Sequence, residues 1–433
     1  MRRPPSLARR ADPAPFAPPA SVRAAALAIG LAAAGCSAAP PPKDPLAGLQ
    51  LLSEDPSDQP IAGLDEHWAQ RFAAGDLAFE HNHGPAEGLG PLYIRPACGA
   101  CHAADSKGPG GVTKMAVLGV EGVELDGSEL LPFGDTERPR VTAGAHRPVL
   151  APDDPRVRTS LRLGPAVFGR GYLEAVDEAA VLALEAEQAA GRDGVRGRAH
   201  RVCRGSAANP DQPFHDEAEG ECGLLGRFGL KATVASLDDF TAKAYLGDMG
   251  LSSPLRPVEL PNPDGLLDDD RPGVDLELDT LNLAADYVRL LALPRPLQPT
   301  LDGAPVRDGP ALFAAAGCDR CHRPSLPTRA DHPIPPLAGV EAALFSDLLL
   351  HDMGEGLADG LSEGEAGPRD WRTAPLIGLR FLGRFLHDGR ADDLEGAIAA
   401  HQSPGSEANA SVARFDALSV AEQDRLLAYL WSL

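Results

Sequence analysis

Apolar residues recur at helical spacing in three stretches of this chain. In LEAVDEAAVLALEAEQ, residues 173–188, Leu173, Val176, Val181 and Leu184 fall near one another on a 3.6-residue turn, and Gly191 follows as a stop. DTLNLAADYVRLLAL, residues 279–293, repeats the pattern and ends at Pro294. The last stretch opens with Ser419 three positions before Glu422, a capping-box spacing, and its Leu426, Leu427, Leu430 and Trp431 form an apolar face. Alternation of period two is scarce and predicts one short strand pair near Val117 to Leu125. The pattern predicts a mainly α fold with long loops and few short strands.

Composition adds turns and an export signal. Gly 46 and Pro 42 make up about a fifth of the 433 residues, enough for many irregular connections. Arg2, Arg3, Arg9 and Arg10 precede an apolar run from Ala24 to Ala34 that ends in Gly35 and Cys36, so residues 1–36 read as a secretion signal. The run is too short to span a bilayer stably. Small residues before a cysteine resemble a bacterial lipobox, with Ala33 where leucine is usual, and lipidation of Cys36 is expected, against plain cleavage or a retained anchor. Residues 37–62 then read as a tether. Five arginines and one aspartate precede Cys36, so of the 40 basic and 62 acidic side chains the exported chain keeps a net charge of about −26. That charge repels nucleic acid and anionic lipid, leaves the N-terminal lipid as the one membrane contact, and favours a basic redox partner. The expected location is the periplasmic face of a bacterial membrane.

The seven cysteines divide without remainder. Cys203 and Cys222 bracket a polar loop in an exported chain and predict a disulfide, with two free thiols as the alternative. The other four lie in CGACH, residues 98–102, and CDRCH, residues 318–322. Two thiols at C-x-x-C spacing reach the two vinyl groups of one porphyrin, and the adjacent histidine lands on the iron. A structural zinc site would want a second Cys or His pair nearby, and neither stretch has one. Two covalently attached c-type haems are expected, through Cys98, Cys101 and His102 and through Cys318, Cys321 and His322. The Pro-rich stretch 294–305 separates them, which predicts two cytochrome c-like haem domains, 63–300 with long insertions and 301–433. Met115, Met249 and Met353 are the methionines beyond the signal, although a methionine on a helix is more often core than ligand.

The motifs EGLGPLY (87–93), GPAVFGRGYLEAV (164–176), GRFGLKA (226–232), GDMGLSSPL (247–255), LLHDMGEGLADG (349–360), WRTAPLIGL (371–379) and LHDGRADDLEGAIAAH (386–401) add a family resemblance. From about Gly75 to Leu433 the chain resembles the di-haem oxidoreductases, distant relatives of bacterial di-haem cytochrome c peroxidases and rubber oxygenases. In that superfamily the residue fourteen positions after the histidine of an HDG turn points at the C-terminal haem. Methionine or tyrosine stands there in other branches, and here it is His401. The resemblance therefore implies His401 as second ligand to the iron of His322, with Met353 as ligand, or a His401 facing water, as the alternatives. His387 precedes a turn signal and is expected to fix that turn or a haem propionate. His146, His200 and His215 read as surface residues.

Around the first haem the resemblance implies Phe228, Leu230, Lys231 and Tyr245 as neighbours. Leu230 stands where relatives usually carry tryptophan, so no aromatic relay is expected through it. Lys231, Tyr245 and Glu174 are the candidates for a distal acid or base, and Tyr245 is equally a core tyrosine with its hydroxyl at the rim. The family also brings calcium between its haems, and no ligand set in this sequence supports one. The combined expectation is an exported peroxidase-like oxidoreductase, fed by a small redox protein and acting on peroxide or oxygen. A pure electron carrier with both irons saturated is the rival.

Overall fold

The computed structural model describes residues 59–102, 111–118, 129–142, 144–212, 217–266 and 273–433. The expected signal, lipidated Cys36, most of the tether and His215 lie outside these residues. Nine α-helices run through the described residues: α1 (Glu66–Glu80), α2 (Arg170–Ala175), α3 (Glu178–Ala190), α4 (Leu237–Ala244), α5 (Leu278–Leu290), α6 (Gly309–Ala316), α7 (Leu394–Ala400), α8 (Asn409–Asp416) and α9 (Val420–Ser432). α1 starts where the Asp65 carboxylate accepts from the Trp68 amide at 3.0 Å. It lies close against α5 because Gly75 has no side chain, and a Cβ there would stand 2.3 Å from the Leu283 carbonyl oxygen. Phe72 and Phe79 of α1 then pack on the Tyr287 ring at 5.1 and 5.0 Å.

The single helix expected over 173–188 is two. Val176 forms a β-bridge with Thr328, the Asp177 amide donates to Pro327, and the Asp177 carboxylate caps the new helix by accepting from Ala179. A tertiary hydrogen-bond partner therefore overrides the helical period at Val176. The capping box at Ser419 and Glu422 forms as expected, with Leu426 and Leu430 buried, whereas Trp431 remains 47% exposed.

The mainly α expectation is overturned. Among the described residues helix accounts for 32% and strand for 17%, and the strand lies in small sheets. Six two-stranded antiparallel ladders occur among the described residues. The longest pairs Gly111–Val117 with Val157–Leu163, and Leu350–Asp352 pairs with Asp370–Arg372. Arg201–Cys203 pairs with Cys222–Leu225, and the Cys203–Cys222 disulfide closes that ladder. Most of these strands are two or three residues long, too short for a period of two to register in sequence. Each still satisfies backbone groups that a Gly- and Pro-rich chain would otherwise bury unpaired.

Two separate cytochrome c-like domains are not seen either. The described residues all fall within one unit, and its largest apolar cluster draws on Ile61, Phe168, Tyr287, Leu344 and Ile377 alike. A second cluster joins α6, α8 and α9 through Phe313, Phe415, Leu426 and Leu430. Between the helices lies a buried ionic knot: Arg289 pairs with Glu174 at 2.6 Å and with Asp286, and Asp286 also pairs with Arg71.

Candidate functional site

Both C-x-x-C-H stretches fold into a tight turn. The His102 amide donates to the Cys98 carbonyl and the His322 amide to the Cys318 carbonyl, each at 2.9 Å. The four thiols are unpaired and half-buried at these turns. The histidines share a further feature with His401. His102 Nδ1 lies 3.0 Å from the Pro165 carbonyl, His322 Nδ1 3.0 Å from Phe345, and His401 Nδ1 2.7 Å from Ala397. A carbonyl at Nδ1 fixes the tautomer and leaves the Nε2 lone pair as the outward ligand atom. Burial lowers the proton affinity of all three, His322 to about 4 with His401 adding to the shift, so each is neutral at pH 7. His322 and His401 are close enough to influence one another. His102 feels only Arg170 besides its burial and its carbonyl.

The loops that present these carbonyls are shaped for it. Gly164 lies against the His102 ring, where a Cβ would stand 2.8 Å from Cε1. Phe345, which holds His322, adopts φ +51°, and Leu348 adopts φ +62°. Left-handed backbone at bulky residues persists only where surrounding contacts impose it. Here the Ser346 hydroxyl donates to Thr373 and the Leu348 amide to Ser346 Oγ.

His351 ties that loop to the segment after His401. Its Nε2 lies 3.0 Å from Asp347, its Nδ1 2.8 Å from Glu407 and 3.7 Å from the Cys321 sulfur. Burial opposes a charge on His351, but Cys321, Asp347 and Glu407 overcome it and raise its proton affinity well above 6.5. Asp347 is held below 3.8, its own burial being outweighed by His351 and Gln188. The pair therefore contributes fully between the ordinary values of 3.8 and 6.5. It is lost as pH falls through the depressed Asp347 value or rises through the elevated His351 value. Replacing His351 with glutamine is expected to lower stability most between pH 4 and 6.5, with the deficit shrinking in alkali, as urea midpoints across pH would report.

The donor set fits a porphyrin with carboxylate arms. Arg170 and Arg372 are buried, bond only to the carbonyls of Ala166, Gly229 and Thr373, and have no carboxylate partner among the described residues. Burial, and for Arg170 the nearby Arg372, lowers their proton affinities to about 9 and about 10. Arg170 acts on His102 while Arg372 is within reach of Asp347, so the two cations lie between the histidine loops. Haem propionates would supply the missing countercharge. Sequence reading passed over both arginines, although each sits inside an apolar motif where a charge is out of place.

The other predicted residues have the following surroundings. Tyr245 is fully buried in the π-helical turn Tyr245–Met249. Its hydroxyl lies by the Cys98 sulfur and has no oxygen or nitrogen partner. Lys231 is also fully buried, but its ammonium binds the Gly367 and Asp370 carbonyls, pairs with Asp359 at 3.5 Å, and lies 4.1 Å over the Trp371 ring. Glu174 is committed to Arg289 and to the Leu237 amide, and Phe228 packs on Phe240. His387 stacks on Trp371 at 3.9 Å and 12°, and its carbonyl accepts from Leu163. The cations of Lys231 and Arg162 beside that ring oppose removal of an electron from it. His146 is exposed as expected. His200, expected at the surface, is buried, with Nδ1 2.7 Å from the Lys231 carbonyl and Nε2 accepting from Glu365.

A family model described as "Di-haem oxidoreductase, putative peroxidase" matches residues 136–433. The chain belongs to the di-haem oxidoreductase family. The matched span holds His322, His401, Arg170 and Arg372, and begins after Cys98, Cys101 and His102. Membership makes haem the cofactor class of this oxidoreductase, in agreement with the donor set. No curated protein matches the chain. Among solved structures, a chain of Kuenenia stuttgartiensis hydrazine synthase, studied under 20 bar xenon, is similar at 14% identity. The alignment covers 95% of this chain and 100% of that one with a TM-score of 0.36, too low to argue from.

Proposed function

We propose that this di-haem oxidoreductase is an exported c-type cytochrome that reduces peroxide at its first haem with electrons held at its second. Cys98 and Cys101, and Cys318 and Cys321, are the thiols that attach the two porphyrins. When bound, the haems supply one-electron iron chemistry and, at an iron face without a protein ligand, a place for a small oxidant. The asymmetry between the histidines carries the reading: His322 has a second neutral imidazole, His401, within its electrostatic reach, and His102 has none among the described residues. His322 and His401 would hold a haem between two imidazoles and so supply a closed, low-potential electron store. At the first site Tyr245 keeps an uncommitted phenol hydroxyl as a donor beside Cys98. Arg170 and Arg372 would hold haem propionates, which would neutralise the two buried cations. The acidic surface suits a small basic cytochrome as electron donor, and Cys36 suits a lipid anchor at the periplasmic face of a membrane.

Electron paramagnetic resonance of the oxidised protein tests the asymmetry directly. One low-spin bis-imidazole signal and one high-spin signal are expected, and cyanide should shift half of the haem absorption. Two low-spin irons that bind neither cyanide nor carbon monoxide in either oxidation state would make the protein an electron carrier without turnover.

A further inference from the structure

The turn that follows α1 holds a group of side chains that the two haems do not use. His81 caps the C-terminus of α1, His83 follows two residues later, and Glu87 closes the short 3₁₀ turn Pro85–Glu87. One donor atom from each of the three lies within 4.8 Å of the others. His81 Nε2 and Glu87 Oε1 are 2.9 Å apart, and Glu87 Oε2 is held by the Gly84 amide at 2.8 Å. A surface His–Glu pair accounts for those two residues and leaves His83 unexplained. It is buried to 8% exposure, and its Nε2 has no hydrogen-bond partner among the described residues. A native fold rarely leaves a buried ring nitrogen unmet unless something absent from the polypeptide meets it.

We propose that His81, His83 and Glu87 form a divalent-cation site of the type that zinc occupies, separate from both haems. Two imidazoles and one carboxylate are a ligand set for borderline divalent metals, with a fourth position open to water. At zinc bond lengths, tetrahedral ligand atoms stand about 3.3 Å apart, so the group needs only a small adjustment in which the 2.9 Å His81–Glu87 pair opens slightly and the distances to His83, all within 4.8 Å, close. His81 and Glu87 are about half exposed and can turn to provide it, while packing fixes His83.

The surroundings favour a cation. Burial, and then His81, lowers the proton affinity of His83, which keeps it in the neutral, metal-binding form. Glu87 and Asp275 both act on it with negative charge, and Asp275 is itself anchored by the Ser252 amide and hydroxyl. The site also lies near the first haem segment. The His83 ring meets Tyr245 edge-on at 5.8 Å, and the Tyr245 hydroxyl lies by Cys98. A dication there would brace the loop leading into Cys98–His102.

The test is calorimetric titration of the haem-loaded, chelator-treated full chain with zinc chloride. One zinc per chain is expected, with affinity at least tenfold weaker in His81→Ala and in His83→Asn and unchanged in His146→Ala, an exposed histidine outside the group. His81 is exposed enough that its replacement leaves the fold intact, so that variant reads the site even where His83→Asn is unstable. Absence of saturable zinc uptake, or wild-type affinity in His81→Ala, overturns the proposal. So does a change in the first haem's spin state in folded His83→Asn, which would move His83 to the iron. None of these readouts depends on peroxide turnover.

Discussion

Replacing His401 with alanine is expected to open the second haem and raise cyanide binding from one equivalent per chain to two. His401 ends α7, a short helix whose start is secured independently by the Asp393 carboxylate accepting from Gly396 at 2.7 Å. The His401 carbonyl accepts from the Ser406 hydroxyl at 2.6 Å, so the backbone is pinned without help from the imidazole. The ring has a single intraprotein bond, from Nδ1 to Ala397, and its burial keeps it neutral. Its removal should therefore affect the iron far more than the fold. The low-spin bis-imidazole resonance should vanish while circular dichroism is preserved. His401→Met should restore six-coordination through a thioether and raise the potential of that haem, because a thioether favours the ferrous state. An alanine variant that still shows one low-spin haem and one cyanide site would return the ligand role to Met353 or another group.

The largest effect on stability is expected from Arg289→Met. Arg289 is fully buried, with Nε 2.6 Å from Glu174 Oε2 and Nη1 paired with Asp286. Burial opposes its charge, and Glu174 and Asp286 more than restore it. Through this one guanidinium α5 is joined to α2, while Glu174 also holds the Leu237 amide that starts α4 and Asp286 takes Arg71 from α1. Methionine fills much of the volume but takes the buried guanidinium away from Glu174, which keeps the Leu237 amide. Breaking one side of a buried pair costs about 3–5 kcal/mol. The deficit should shrink as pH falls towards the ordinary glutamate value of about 4.3, because a protonated carboxyl no longer needs the guanidinium. Arg425→Met is the internal reference: its pair with Asp308 is half exposed and is worth less than about 1 kcal/mol. Urea midpoints at pH 7 and pH 5 would check both variants. A loss for Arg289→Met no larger than that for Arg425→Met would mean the knot does not hold these helices together.

The family was readable from its motifs, and the two C-x-x-C-H turns from local spacing. Cys98 to His102 and Cys318 to His322 are contiguous, and His401 follows His387 by one turn and one short helix. The helical faces of 279–293 and of α9 were readable for the same reason, since an amphipathic period needs only near neighbours. The two-stranded ladders were not, because strands such as Leu350–Asp352 find partners twenty residues away and are too short to carry a period.

By itself the sequence determined the family and the two C-x-x-C-H spacings, since thiol and imidazole chemistry depends on a few adjacent residues. Tertiary structure alone decided what orients and charges them. Pro165 comes to His102, Phe345 to His322, and Glu407 to His351 across 56 residues, while Arg170 and Arg372 arrive from segments 200 residues apart. These meetings follow from how the apolar core closes, and a contact made by packing leaves no spacing rule along the chain from which to read it.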